Sequence, residues 1–284
     1  MKNSLTLGEW LQQARETLQA LSDTASIEVQ VLAAHVLKHP RTWIITHPER
    51  ILTAEEENAL YGLLSQLMKG VPLPYLTGRQ EFFGLEFEVT PDVLIPRPET
   101  ELLVETAIEW LKRFPSRRRV ADVGTGSGCI AVSIAHTLPE VQVLATDCSR
   151  GALKVAQWNA EKHRVTSQIR WVQCNLLTAC AGPLDLVCAN LPYIPTPALA
   201  ETPPARFEPV SALDGGYTGV EKIAALLRDA PRWLAPGGGI LLEIQWDQGR
   251  QVTGVAREVF PTASIQVLQD FAHLDRVVQI QTIL

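Results

Sequence analysis

From residue 119 onward the chain alternates apolar runs of strand length with segments of helical periodicity, and this alternation limits the fold more than any other feature. Strands are expected at residues 120–123, 141–146, 169–174, 184–189 and 240–244. Helices are expected at 129–138, 150–162, 219–234 and 248–259. Strands that take turns with helices build a mostly parallel sheet covered on both faces, an α/β fold. The last two strands, 264–268 and 277–282, have no helix between them and predict a terminal antiparallel hairpin.

The first 70 residues carry a different pattern. Thr6 and Glu9 stand at capping-box spacing before Leu7, Trp10, Leu11, Ala14, Leu18 and Leu21, which share one helical face. Residues 26–38 repeat the pattern, and Thr53 with Glu56 starts a third helix that runs toward Gly70. Pro72, Pro74 and Gly78 then break the chain. Phe82, Phe83, Leu85, Phe87 and Val89 suggest a hairpin or an extended connector, and the prolines at 96 and 98 exclude helix until Thr100. The expected organisation is a helical domain over 1–80, a connector over 81–98 and an α/β domain over 99–284.

Composition excludes several classes. A formal net charge of −6 and a pI near 5.6 give no bulk attraction for nucleic acid. The five cysteines, Cys129, Cys148, Cys174, Cys180 and Cys188, form no C-x-x-C pair and read as buried small hydrophobes in a reducing compartment. His35 and His39 are four apart, but no carboxylate or cysteine accompanies them, so no metal site is expected. Met1 to Ser4 lead into no signal-peptide core, and no run reaches the length of a membrane span. A soluble cytoplasmic protein, taken as a monomer, is the expectation. Arg117 to Arg119 read as a solvated linker.

Two stretches carry the chemistry. Gly124-Thr125-Gly126-Ser127-Gly128 falls between the first strand of the α/β domain and its helix, where glycines allow a ligand close to the backbone. It lacks the lysine of a P-loop. Asp147 ends the next strand, 19 residues after Gly128, close to the spacing at which a carboxylate takes ribose hydroxyls. A nucleoside-containing cofactor accounts for both, although Asp147 at a helix start also reads as a cap. Asn190-Leu191-Pro192-Tyr193 follows the fourth strand. The Asn190 side-chain oxygen and the Leu191 carbonyl form a pair of acceptors for the two N–H bonds of a planar amine or amide. Pro192 fixes the backbone, and Tyr193 offers a flat wall. The same four residues also read as a plain strand exit and turn. A dinucleotide oxidoreductase would leave them unexplained, whereas S-adenosylmethionine accounts for both stretches: methionine end on Gly124–Gly128, ribose on Asp147, methyl toward Asn190. Asp122 either meets the cofactor or orders the glycine loop, and Asn175 either reaches the adenine or serves its loop.

These residues carry a resemblance. With Pro74-Tyr75-Leu76-Thr77-Gly78, residues 94–101 (Leu-Ile-Pro-Arg-Pro-Glu-Thr-Glu), Asp122 to Gly128, Ala189 to Ile194, Phe207-Glu208-Pro209 and residues 212–216, nearly the whole chain resembles the release-factor glutamine methyltransferases, the PrmC or HemK family. The resemblance implies a seven-stranded, Rossmann-like class I methyltransferase sheet behind a small helical domain that recognises the substrate. It implies S-adenosyl-L-methionine as cofactor, bound by Asp122, Gly124, Thr125, Gly126, Ser127, Gly128, Asp147, Asn175 and Asn190. The implied reaction is methylation of the side-chain amide nitrogen (N5) of the glutamine in the Gly-Gly-Gln motif of peptide-chain release factors, in translation termination. Asn190, Leu191, Pro192 and Tyr193 would hold that amide, with no metal. The family pattern has proline at Leu191, an acidic residue at Thr218 and aspartate at Asn175. Rival readings are a methyltransferase for a ribosomal-protein glutamine or a nucleic-acid exocyclic amine, and a non-catalytic cofactor-binding protein.

Overall fold

The computed structural model describes residues 5–283, so the polar lead-in at Met1 to Ser4 and the terminal Leu284 lie outside the described residues. The chain forms two compact units, residues 1–79 and 80–284.

The first unit is helical: α1 (Leu7–Leu18), α2 (Ala25–Leu37), α3 (Arg41–Thr46), α4 (Ala54–Met68) and α5 (Leu73–Thr77). Both expected capping boxes are present. The Glu9 amide donates to Thr6 Oγ1 at 3.3 Å while the Thr6 amide donates to Glu9 Oε2 at 2.8 Å, and Thr53 with Glu56 repeats the exchange. Arg50 adds a two-pronged bond to Glu56, 2.7 Å to each oxygen. Leu7, Trp10, Ala14 and Leu18 put one face of α1 into a core shared with Leu32, Ala33, Ile44 and Leu60. Two helices escaped the sequence reading. α3 is too short to show a period, and in α5 the proline taken as a breaker occupies the first turn, where its missing N–H costs nothing.

The second unit opens with a hairpin, β1 (Arg79–Phe82) and β2 (Leu85–Glu88). Phe83 (φ 52°) and Gly84 (φ 71°) make the two-residue turn with positive φ at both positions that matches strand twist. The Phe83 amide is held by Glu101 Oε1 at 2.8 Å. A turn of 3₁₀ helix at Pro98–Thr100 leads into α6 (Glu101–Arg113).

The sheet follows: β3 (Arg119–Val123), α7 (Cys129–Thr137), β4 (Gln142–Asp147), α8 (Arg150–Lys162), β5 (Ile169–Gln173) and β6 (Leu184–Ala189). A short pair, β7 (Ile194–Pro195) with β8 (Asp214–Gly216), precedes α9 (Glu221–Asp229), β9 (Leu234–Glu243), α10 (Gly249–Val259), β10 (Ser264–Gln269) and β11 (Asp275–Gln281). The seven strands lie in the order β10-β11-β9-β6-β3-β4-β5, with β5, β4, β3, β6 and β9 parallel and β11 antiparallel to both its neighbours. All six residues of β6 are buried, as a strand covered on both faces requires. The chain steps outward from β3 to β5 and then returns to lay β6 on the other side of β3. That reversal opens a crevice at the carboxyl ends of β3 and β6.

Three expectations need correction. The helix predicted over 219–234 ends at Asp229, because Pro231 removes a helical donor and Gly237 to Gly239 allow β9 to start at Leu234. The basic triplet is no solvated linker. Asp185 Oδ2 accepts the Arg118 and Arg119 amides at 3.0 and 2.9 Å, and Arg117 reaches Oδ1 at 3.2 Å. Burial pushes the Asp185 carboxyl up, but those donors outweigh it and hold it below its ordinary range. Cys148 is exposed and Cys174 half-buried; only Cys129, Cys180 and Cys188 sit in the core. Among the described residues no helix is long and apolar enough to cross a membrane.

Candidate active site

The crevice is a partly open pocket at the carboxyl ends of β3 and β6. Gly124, Thr125, Gly126, Ser127, Asp147, Asn175, Asn190, Leu191 and Pro192 line it, while Asp122, Gly128 and Tyr193 do not.

The glycine loop is set by its own backbone bonds. The amides of Gly124 and Thr125 both donate to the Thr146 carbonyl, at 2.8 and 2.9 Å, which folds the exit of β3 across the end of β4. Gly124 and Gly126 have φ of 74° and 57°, a region other residues enter only with strain. Beneath the loop, Asp122 Oδ2 accepts from Thr125 Oγ1 at 2.6 Å and from the Ala131 amide at 3.1 Å, while Oδ1 is buried without a partner. Burial pushes this carboxyl up to about 7. Asp147 accepts from the Gly126 amide at 3.0 Å and the Ser149 amide at 2.8 Å, so it braces the loop and the start of α8 together. Asn159, fully buried on α8, donates to the Ser127 and Glu88 carbonyls, both at 2.9 Å, and ties the loop to the hairpin.

At the end of β6, Asn190 Nδ2 donates to Thr100 Oγ1 at 3.0 Å. With its donor engaged, the amide is left with Oδ1 as the end to offer a ligand. Pro192 and Tyr193 are clasped from behind. A side chain on Gly215 would bring its Cβ to 2.5 Å from the Gly219 carbonyl oxygen and 2.7 Å from the Pro192 oxygen, so only glycine fits there. Gln248 Nε2 donates to the Tyr193 carbonyl at 2.9 Å. Tyr193 is partly buried against the core and is not among the residues that line the crevice, where the sequence reading put it as a wall. On the opposite rim, buried Glu208 accepts from the Ile95 amide at 3.0 Å and pairs with Arg97. The proline-flanked arginine thus meets the Phe207-Glu208-Pro209 stretch.

Comparison with known proteins bears on this arrangement. Residues 9–78 match the model of the PrmC N-terminal domain and residues 98–201 the methyltransferase small domain. A release factor glutamine methyltransferase of Moorella thermoacetica is 43% identical over 88% of this chain and 89% of its own length. One of Nitratidesulfovibrio vulgaris is 37% identical over 95% of this chain and 93% of its own. The chain belongs to the release factor glutamine methyltransferase family. Its fold is also that of the Thermus thermophilus 16S rRNA N2 G1207 methyltransferase, solved in complex with AdoMet and guanosine, with a TM-score of 0.53 at 19% identity over 72% of this chain and 49% of that one.

Departures from the family pattern have local explanations. The Leu191 side chain comes within 3.1 Å of where a Cβ on Gly124 would sit, so leucine packs the loop after β6 onto the glycine loop. Thr218 donates through its amide and hydroxyl to Glu221 Oε1, at 2.9 and 3.1 Å. Asn175 lines the crevice in place of the family aspartate. Sequence reading missed Thr100, Gln248 and the lining cation Lys222. Nothing in a helix start, a polar loop or a surface lysine marks them: the partner of Thr100 lies 90 residues on and that of Gln248 55 residues back.

Proposed function

We propose that the protein transfers a methyl group from S-adenosyl-L-methionine to the N5 amide nitrogen of the glutamine in the Gly-Gly-Gln loop of a peptide-chain release factor, in the cytoplasm, with residues 1–80 recognising that partner. The observation that carries this reading is Asn190, held through Nδ2 by Thr100 on the wall of the same crevice that the Gly124–Ser127 loop lines.

The residues suit the cofactor. A Cβ on Gly126 would meet only the Gly124 carbonyl oxygen, at 4.0 Å, so the backbone there is open to a ligand. The Asp147 carboxylate stands beside it as an acceptor for ribose hydroxyls, with Asn175 further along. When bound, S-adenosylmethionine supplies an electrophilic methyl on a sulfonium.

The rest is done by the chain. An amide nitrogen is a poor nucleophile because its lone pair is shared with the carbonyl. Asn190 Oδ1 and the Leu191 carbonyl accept the two substrate N–H bonds, turn the nitrogen lone pair toward the methyl and favour the positive charge that grows on nitrogen. Pro192 holds the Leu191 carbonyl in place. No strong base is required, because an N-methylated amide cation is acidic enough to lose its proton to water.

Mass spectrometry of a release factor after incubation with the protein and cofactor tests the reading. A gain of about 14 Da on the loop glutamine, one CH₃ for one H, is expected. An unmodified release factor beside a methylated ribosomal protein or nucleic acid overturns it in favour of that substrate.

A further inference from the structure

Glu243 has no task in the mechanism above. It ends β9 one residue beyond the Ala189–Leu242 pair that joins β9 to β6, at the level of Asn190. It is 1% exposed, and neither of its oxygens meets a donor at full hydrogen-bond geometry, although the Thr100 and Tyr193 hydroxyls stand near enough to act on it. A buried carboxyl unmet on both oxygens is destabilising, and such groups persist where function uses them. Burial pushes it up to about 7, opposed by the Thr100 hydroxyl, Arg276 from β11 and the Tyr193 hydroxyl and reinforced by Glu99. Thr100 is the residue that receives Asn190 Nδ2. A hydroxyl that accepts through a lone pair still has its own proton to donate.

We propose that Glu243 is a positioning residue: its ionised carboxylate receives the hydroxyl protons of Thr100 and Tyr193, so that Thr100 presents a lone pair to Asn190 Nδ2 and the amide is fixed with Oδ1 toward the substrate. This rests on the catalytic role given to Asn190 above. The two hydroxyls already act on the carboxyl in the free protein, and its ionisation draws them onto the waiting oxygens. When the carboxyl is protonated it can no longer receive both, the Thr100 hydroxyl turns, and the Asn190 amide is released.

The ¹⁵N resonance of the Asn190 side-chain amide, identified by its loss in Asn190→Ala, reads this coupling without turnover. In the wild-type protein it titrates with a midpoint near pH 7. In Glu243→Gln and Thr100→Val it is flat with pH, and in Thr100→Ser, which keeps the hydroxyl, the titration returns. Kinetically, Glu243→Gln lowers kcat by between about tenfold and a hundredfold, leaves KM for the cofactor within about twofold, and no longer loses rate below pH 7. Melting curves establish that each variant is folded. A resonance that does not titrate in the wild type, or titrates equally in Glu243→Gln, overturns the proposal. A coupled resonance in a protein that methylates no release factor supports Glu243 as the residue that positions Asn190 and removes only the substrate assignment.

Discussion

The side-chain amide of Asn190 donates to the hydroxyl of Thr100 at 3.0 Å, across 90 residues of sequence. The bond joins the end of β6 to the turn that starts α6, and it decides which end of the Asn190 amide is left for a substrate. An asparagine free to flip would offer donors half the time to a group that has only donors to give.

Asn190→Ala removes the acceptor and leaves the glycine loop untouched. Turnover is expected to fall by about 10² to 10³ while cofactor affinity changes less than about threefold. Single-turnover methylation and calorimetric titration with S-adenosylmethionine measure the two effects separately.

Glu208→Ala strips the Ile95 amide and Arg97 of their shared acceptor. Both rim segments lose their tie, and a loss of about 3 kcal/mol in stability is expected, as for removing one partner of a buried ion pair. Urea unfolding gives the number. Arg97→Ala, which leaves the buried Glu208 carboxylate with the Ile95 amide alone, should cost a comparable amount.

Gly215→Ala places a methyl within 2.7 Å of backbone atoms of Pro192, Tyr193 and Gly219. Something must shift, and the segment that shifts is the one proposed to grip the amide. A drop of about 2 kcal/mol in stability, with a larger proportional loss of kcat than of cofactor binding, is expected. Gly126→Ala should reverse that ratio, since its φ of 57° strains the cofactor side instead.

Asp122 gives stability a pH dependence. Its folded pKa, about 7 by burial, lies above the unfolded value of about 3.9. Between those values the folded state keeps a proton that the unfolded state has lost, so stability falls as pH rises, by at most about 1.4 kcal/mol per pH unit. In Asp122→Asn, where the amide oxygen can still accept from Thr125 and Ala131, the slope between about pH 4 and 7 should fall by about half, the remainder coming from Glu243, raised to about 7 in the same way. Denaturant melts across that range test it. Asp185 acts with the opposite sign: its depressed pKa supplies stability above the unfolded value that is lost as pH falls below it.

The sequence was most legible where a pattern repeats locally. Capping boxes at Thr6 and Thr53, the glycine loop and the six-residue apolar run of β6 each declare themselves within a few positions, and the structure has them as read. It was least legible where a residue's partner lies far away. Arg117 to Arg119 look like surface charges until Asp185 is brought beneath them, and Pro74 looks like a breaker until it is seen in the first turn of α5. Tyr193 shows the same limit: an aromatic after a strand can face the ligand or the core, and here it packs partly buried against the core. Glu243 did carry a local signal, a carboxyl inside the apolar run Leu241-Leu242-Glu243-Ile244, which a reading for secondary structure alone passes over.

Because β3 and β6 are direct neighbours, the separation between the two halves of the reaction centre follows from the pitch of a sheet, about 4.8 Å per strand. Loops are free to drift over evolutionary time; that spacing is not. A change of acceptor molecule can therefore be written into the stretch around Ser211 and Ala212, which lines the crevice, without recalibrating the proposed transfer itself.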